Sequence, residues 1–142
     1  MDPTITKQRP VYRNIHISQI VGYRLPAAGW VSILHRISGA LMFLLLPFIV
    51  WMFDASVTSQ TSYDRFTAVF AAGIGIVPGG LLKLVVLGLI WAYLHHFIAG
   101  LRHVWMDISH HAVDLQPGRR SALFTLAASL LLTLVLAYRL FF

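Results

Sequence analysis

Two groups of polar side chains sit inside otherwise apolar stretches of this chain. Ser32, His35, Arg36 and Gly39 recur at i, i+3, i+4 and i+7, so a helix carries them on one face. Further along come His95-His96, Gly100, Arg102, His103 and Asp107. His96 and His103 are two helical turns apart, about 10 Å along one face, and His95 points roughly 100° away. Asp107 continues that face by one more turn. A neutral imidazole in apolar surroundings is a good ligand for haem iron. Gly100, one turn after His96, leaves room for a flat macrocycle against the helix. A second His or Arg nearer the water suits anionic propionates. The same histidines would equally serve as hydrogen-bond partners between helices, and Arg36 could simply snorkel to an interface. Spacing alone leaves both readings open. The chain has no cysteine, no Gly-rich phosphate loop, no His-Glu-x-x-His and no paired carboxylates. His110 and His111 read as solvated loop residues.

The elements that position these groups follow from composition. Of 142 residues, 58% are hydrophobic and 11% charged, against roughly 25% charged in ordinary soluble proteins. All five acids are Asp, with no Glu for a solvated helix face. A water-soluble enzyme is therefore not expected. The net charge of +6 is not gathered into a patch beside aromatics, so a nucleic-acid partner is not expected. Uncharged runs cover Ile37 to Phe53, Leu84 to Leu101 and Ser121 to Tyr138. A helix needs about 20 apolar residues to cross ~30 Å of hydrocarbon. Three spans are expected near 28–53, 81–106 and 119–141, in a single all-α domain over 1–142, and Pro47 should kink the first.

Polar loops are expected over 54–65 and 107–120, and the apolar stretch 66–77 is too short to span and reads as an interfacial helix. Lys7, Arg9, Arg13, Arg24, Arg36, Arg102, Arg119 and Arg120 lie towards one side of the spans; Arg65, Lys83 and Arg139 lie towards the other. Eight against three places the N-terminal segment 1–27 in the cytoplasm and the C-terminus in the periplasm. Trp30 and Trp105 would anchor the inner interface and Trp51 the outer. The first 24 residues lack an apolar signal core and are not a Ser-rich presequence, which favours a bacterial inner membrane.

Ser32-Ile33-Leu34-His35-Arg36-Ile37-Ser38-Gly39 and the stretch from His96 to Asp107 resemble the two signature motifs of one family. It is the family of cytochrome b membrane anchors of succinate dehydrogenase, respiratory complex II. Lys7-Gln8-Arg9-Pro10 is similar to the Arg-Pro that the family carries ahead of its first helix. The resemblance implies three transmembrane helices packed with a second membrane-anchor subunit, alongside an iron–sulfur subunit and a flavoprotein that oxidises succinate. It implies haem b, with His96 as one axial iron ligand and the partner anchor supplying the other. His103 and Arg36 would meet the propionates, and Ser32 and Arg36 the head group of a quinone, ubiquinone being the expected form. This chain would not itself act on succinate. One departure is the doubled histidine: the motif's count favours His96, yet His95 lies beside it. Rival readings are a haem-free structural anchor, a cytochrome subunit of another quinone-linked dehydrogenase, and a small transporter. The last is disfavoured because the polar groups gather at one side of the membrane rather than lining its full depth.

Overall fold

A computed structural model describes residues 16–142. The Lys7-to-Pro10 motif and Arg13 lie outside the described residues. A short helix, α1 (Ile17–Val21), precedes α2 (Ala27–Val57), α3 (Gln60–Ala72), α4 (Gly79–Ile108), a 3₁₀ turn (His110–Val113) and α5 (Leu115–Phe141). Helices α2, α4 and α5 are each long and apolar enough to cross a membrane. This is a multi-pass, all-α membrane protein.

The helices run further than the expected spans at most of their ends, and the loops shrink accordingly. Instead of a polar loop over 54–65, α2 continues to Val57 and α3 starts at Gln60. Instead of a loop over 107–120, only 109–114 separates α4 from α5. A helix of 31 residues is about 46 Å long, well beyond ~30 Å of hydrocarbon. Its polar outer turns lie past the hydrocarbon, where side chains reach water while the backbone stays helical. Polarity marks the edge of the apolar layer, not the end of the helix.

Local chemistry sets the boundaries. Ser59 accepts from the Ser62 N–H at 3.1 Å while the Ser62 hydroxyl accepts from the Ser59 N–H, a reciprocal cap that starts α3. Gly73 ends α3 at φ +93°, and a Cβ there would collide with the Val77 carbonyl oxygen. Ile74 and Val77 then exchange two backbone hydrogen bonds of 3.0 Å, reversing the chain into Pro78 at the start of α4. The apolar stretch 66–77 is thus the second half of a 13-residue helix followed by a tight turn. Pro117 falls in the first turn of α5, where its missing N–H costs nothing. α2 stays helical through Pro47.

Helix α4 packs against both α2 and α5, which also touch each other. The contact stripe of α4 is Ala92, His95, Ala99 and Arg102; that of α5 is Gly118, Ala122, Thr125, Ser129 and Thr133. Lipid is as apolar as leucine, so the drive to pack comes from close approach, which small residues permit. Val31 of α2 meets Ala99 and Ala122 where the three helices converge. The buried hydroxyls of Thr125, Ser129 and Thr133 each donate to a carbonyl of their own helix. Large apolar side chains such as Phe43, Leu44, Phe124 and Leu131 point outward, the reverse of a soluble fold.

Candidate functional site

Helix α4 runs antiparallel to α2, so the His-rich end of α4 returns beside the start of α2. The structure brings His35, His96 and His103 together there. The His35 and His96 rings stack with centroids 4.2 Å apart, and His103 lies 5.1 Å from His35 on its other flank. Ser32 and His103 are half-buried and Arg36 is exposed, one turn from Ser32 on the same stretch of α2. Trp30 and Trp105 are half-exposed at this end, and Trp51 is exposed at the other.

His96 is held tightly. Its Nδ1 lies 3.0 Å from the backbone carbonyl oxygen of His35 and 3.3 Å from the Ser38 hydroxyl. A carbonyl only accepts, so Nδ1 carries the proton. The Ser38 hydroxyl itself donates to that carbonyl at 3.0 Å and can share the Nδ1 proton through a lone pair. Nε2 is thereby left with its lone pair, the form of imidazole that ligates a metal.

His95 is a different case. It is fully buried, with Nδ1 3.4 Å from the Ser129 hydroxyl, its ring stacked on Trp91, and Nε2 without a partner among the described residues. The doubled histidine therefore splits: His95 points into the three-helix interior and His96 towards α2.

Arg102, counted in the sequence only among the basic residues of the inner side, is 7% exposed. Its Nε donates to the Ser121 hydroxyl at 2.9 Å and Nη2 to the Gly118 carbonyl at 3.2 Å. It ties α4 to the start of α5, and no carboxylate faces it among the described residues. Asp107 is exposed, and in the turn His111 Nδ1 lies 3.6 Å from an Asp114 carboxylate oxygen.

Sequence spacing misses Ser38, which is buried against His96, and the carbonyl of His35. Ser38 lies three residues after His35, a helical neighbour, but a backbone acceptor has no sequence signal. A cavity of about 590 Å³ between α4 and α5 is lined in part by Arg102, Trp105, Arg120 and Phe124; none of Ser32, Arg36, His96 and His103 lines it. Of those four, Arg36 is exposed, and Ser32, His96 and His103 are half-buried.

No group of three or more His, Cys, Asp or Glu able to hold a metal ion is present among the described residues. Iron here would need a macrocycle to bring most of its ligands. His96, its tautomer fixed by the His35 carbonyl, with His103 beside His35 and the exposed Arg36 next along α2, fits such a group.

Known proteins resemble this chain along most of its length. It is 32% identical over 113 residues to a succinate dehydrogenase cytochrome b556 subunit of Paracoccus denitrificans, covering 80% of this chain and 81% of that protein. The protein of the same name from Coxiella burnetii is 29% identical over 130 residues, 92% of this chain and 94% of its own length. A third, from Rickettsia felis, is 24% identical over 132 residues and 93% of each chain. Residues 5–136 match the pattern of one family across nearly the whole length. The chain belongs to the succinate dehydrogenase/fumarate reductase transmembrane subunit family.

Proposed function

We propose that this chain is the cytochrome b anchor of a succinate:quinone oxidoreductase, holding haem b jointly with a second anchor subunit and forming one wall of a quinone site. The observation that carries the reading is His96, whose Nδ1 is committed to the His35 carbonyl, leaving the lone pair of the neutral ring on Nε2. The names of the relatives, cytochrome b556 subunits of succinate dehydrogenase, support it.

Bound there, haem supplies one-electron storage between an iron–sulfur relay and the quinone. This chain's residues do the rest. His96 would hold the iron through Nε2, and Arg36 and His103 would offer N–H donors to the propionates. Ser32 donates its hydroxyl to a quinone carbonyl oxygen, and Arg36, one turn on, stabilises negative charge as it develops on that oxygen. Trp30 and Ile33, both outward-facing on α2, offer apolar surface to the ring. Arg36 is exposed and Ser32 only half-buried, so an iron–sulfur subunit and the second anchor would complete the enclosure, with a flavoprotein acting on succinate beyond them. The bacterial inner membrane is the setting, with ubiquinone the expected acceptor.

The test is a reduced-minus-oxidised spectrum of the purified complex. The wild type is expected to show a b-type absorption that His96→Ala abolishes or distorts. A haem-free wild-type complex would return the chain to a structural anchor.

A further inference from the structure

The seat of the His96 ring is built by α2, and its floor is a glycine. A Cβ placed on Gly39 would stand 2.7 Å from His96 Cε1, 3.2 Å from Nδ1 and 3.7 Å from Nε2. Real Cβ atoms do not approach that closely, so any side chain at 39 must displace the imidazole. The other walls are the His35 carbonyl, which accepts the Nδ1–H hydrogen bond, the Ser38 hydroxyl, and the stacked His35 ring. The four residues 35, 38, 39 and 96 therefore form one unit across the α2–α4 contact. The ring is the movable part of that unit: it turns about two side-chain bonds, whereas Gly39 lies within a continuous helix.

We propose that Gly39, with Ser38 and the His35 carbonyl, is a positioning residue that fixes the plane and tautomer of the His96 imidazole and so sets the ligand field of the iron. The inference rests on the ligand role of His96 given above. A side chain at 39 pushes the ring off its seat, lengthens the Nδ1–carbonyl hydrogen bond and rotates the imidazole plane. An imidazole that loses its acceptor is a weaker base towards metal, because the hydrogen bond at the far nitrogen raises ligand basicity.

The experiment uses the assembled complex, comparing wild type, Gly39→Ala, Ser38→Ala, His96→Ala and Gly88→Ala. Gly88 lies on α4 with open space where its Cβ would be, and serves as the control. The readouts are haem content, the low-field EPR resonance of the oxidised haem (which responds to the orientation and basicity of the imidazole) and the melting temperature of the complex. Gly39→Ala is expected to assemble, shift that resonance and lower haem retention several-fold, with its melting temperature falling no further than that of His96→Ala. Ser38→Ala should shift it less, and Gly88→Ala not at all. A wild-type resonance and haem content in Gly39→Ala, while His96→Ala loses its haem, would overturn the seat and leave the ligand assignment standing. Retention of the wild-type haem signal by His96→Ala would overturn both. If Gly39→Ala impairs assembly, the same change in a His96→Ala background decides. Removing the ring makes room for the new methyl, so assembly is expected to recover; continued failure would mean that the ring is not what Gly39 accommodates.

Discussion

Ser32 and Arg36 can be separated from succinate chemistry because the proposed flavoprotein acts outside the membrane. Ser32→Ala and Arg36→Leu are expected to lower quinone reduction roughly 10- to 100-fold, the range for losing one hydrogen bond to a charged or charging group. Turnover with a soluble artificial acceptor should survive in both. Loss of both activities in an assembled complex would remove the quinone role from this face, with haem content measured alongside for Arg36. His95 should behave differently from its neighbour. Its ring fills the interior between Trp91 and Ser129, so His95→Ala is expected to cost about 2–4 kcal/mol of stability, as buried large-to-small changes do. The haem spectrum should persist. A lost spectrum with unchanged stability would exchange the roles of the two histidines. Residue types and spacing are enough to pick out Ser32, Arg36, His96 and His103, because polar groups stand out in apolar spans. They are not enough for Ser38 or for the His35 carbonyl, since a buried hydroxyl resembles any small packing residue and an acceptor on the backbone has no letter of its own.

At the scale of elements, the reversal between α3 and α4 depends on one backbone conformation. Gly73 sits at φ +93° with Val77's carbonyl where a Cβ would go. Gly73→Ala is expected to destabilise this end of the bundle by at least the ~1–2 kcal/mol that left-handed backbone costs an ordinary residue. Limited proteolysis between residues 72 and 79 should detect the loosened turn; unchanged resistance would show that the turn has another solution. The three long helices are readable from uncharged length, and α3 from its apolar second half. Their ends are not. Asp54, Arg65, Asp107 and Arg119 look like loop residues by polarity, yet all four are helical. The Ser59–Ser62 reciprocal cap is a local signal available in the sequence; it marks the start of α3 more sharply than the change in hydropathy does.

For the whole molecule, charge asymmetry sets a testable orientation. A reporter fused after Phe142 is expected on the periplasmic side and one inserted near Gly118 on the cytoplasmic side, given the eight-to-three excess of basic residues. A cytoplasmic C-terminal reporter would contradict the orientation in which Ser32, Arg36, His96 and His103 face proteins made in the cytoplasm. The contact between Arg102 and α5 bears on how such a chain is made. Synthesis delivers α4 before α5, so Arg102 enters the membrane while Gly118 and Ser121, which accept its hydrogen bonds, are still being translated or have only just emerged. A guanidinium alone on an inserted helix costs a few kcal/mol. Only residues 109–114 separate the two helices, so the partner follows almost at once. Helices α4 and α5 are thus expected to leave the insertion machinery together, as a hairpin closed by Arg102, rather than one after the other.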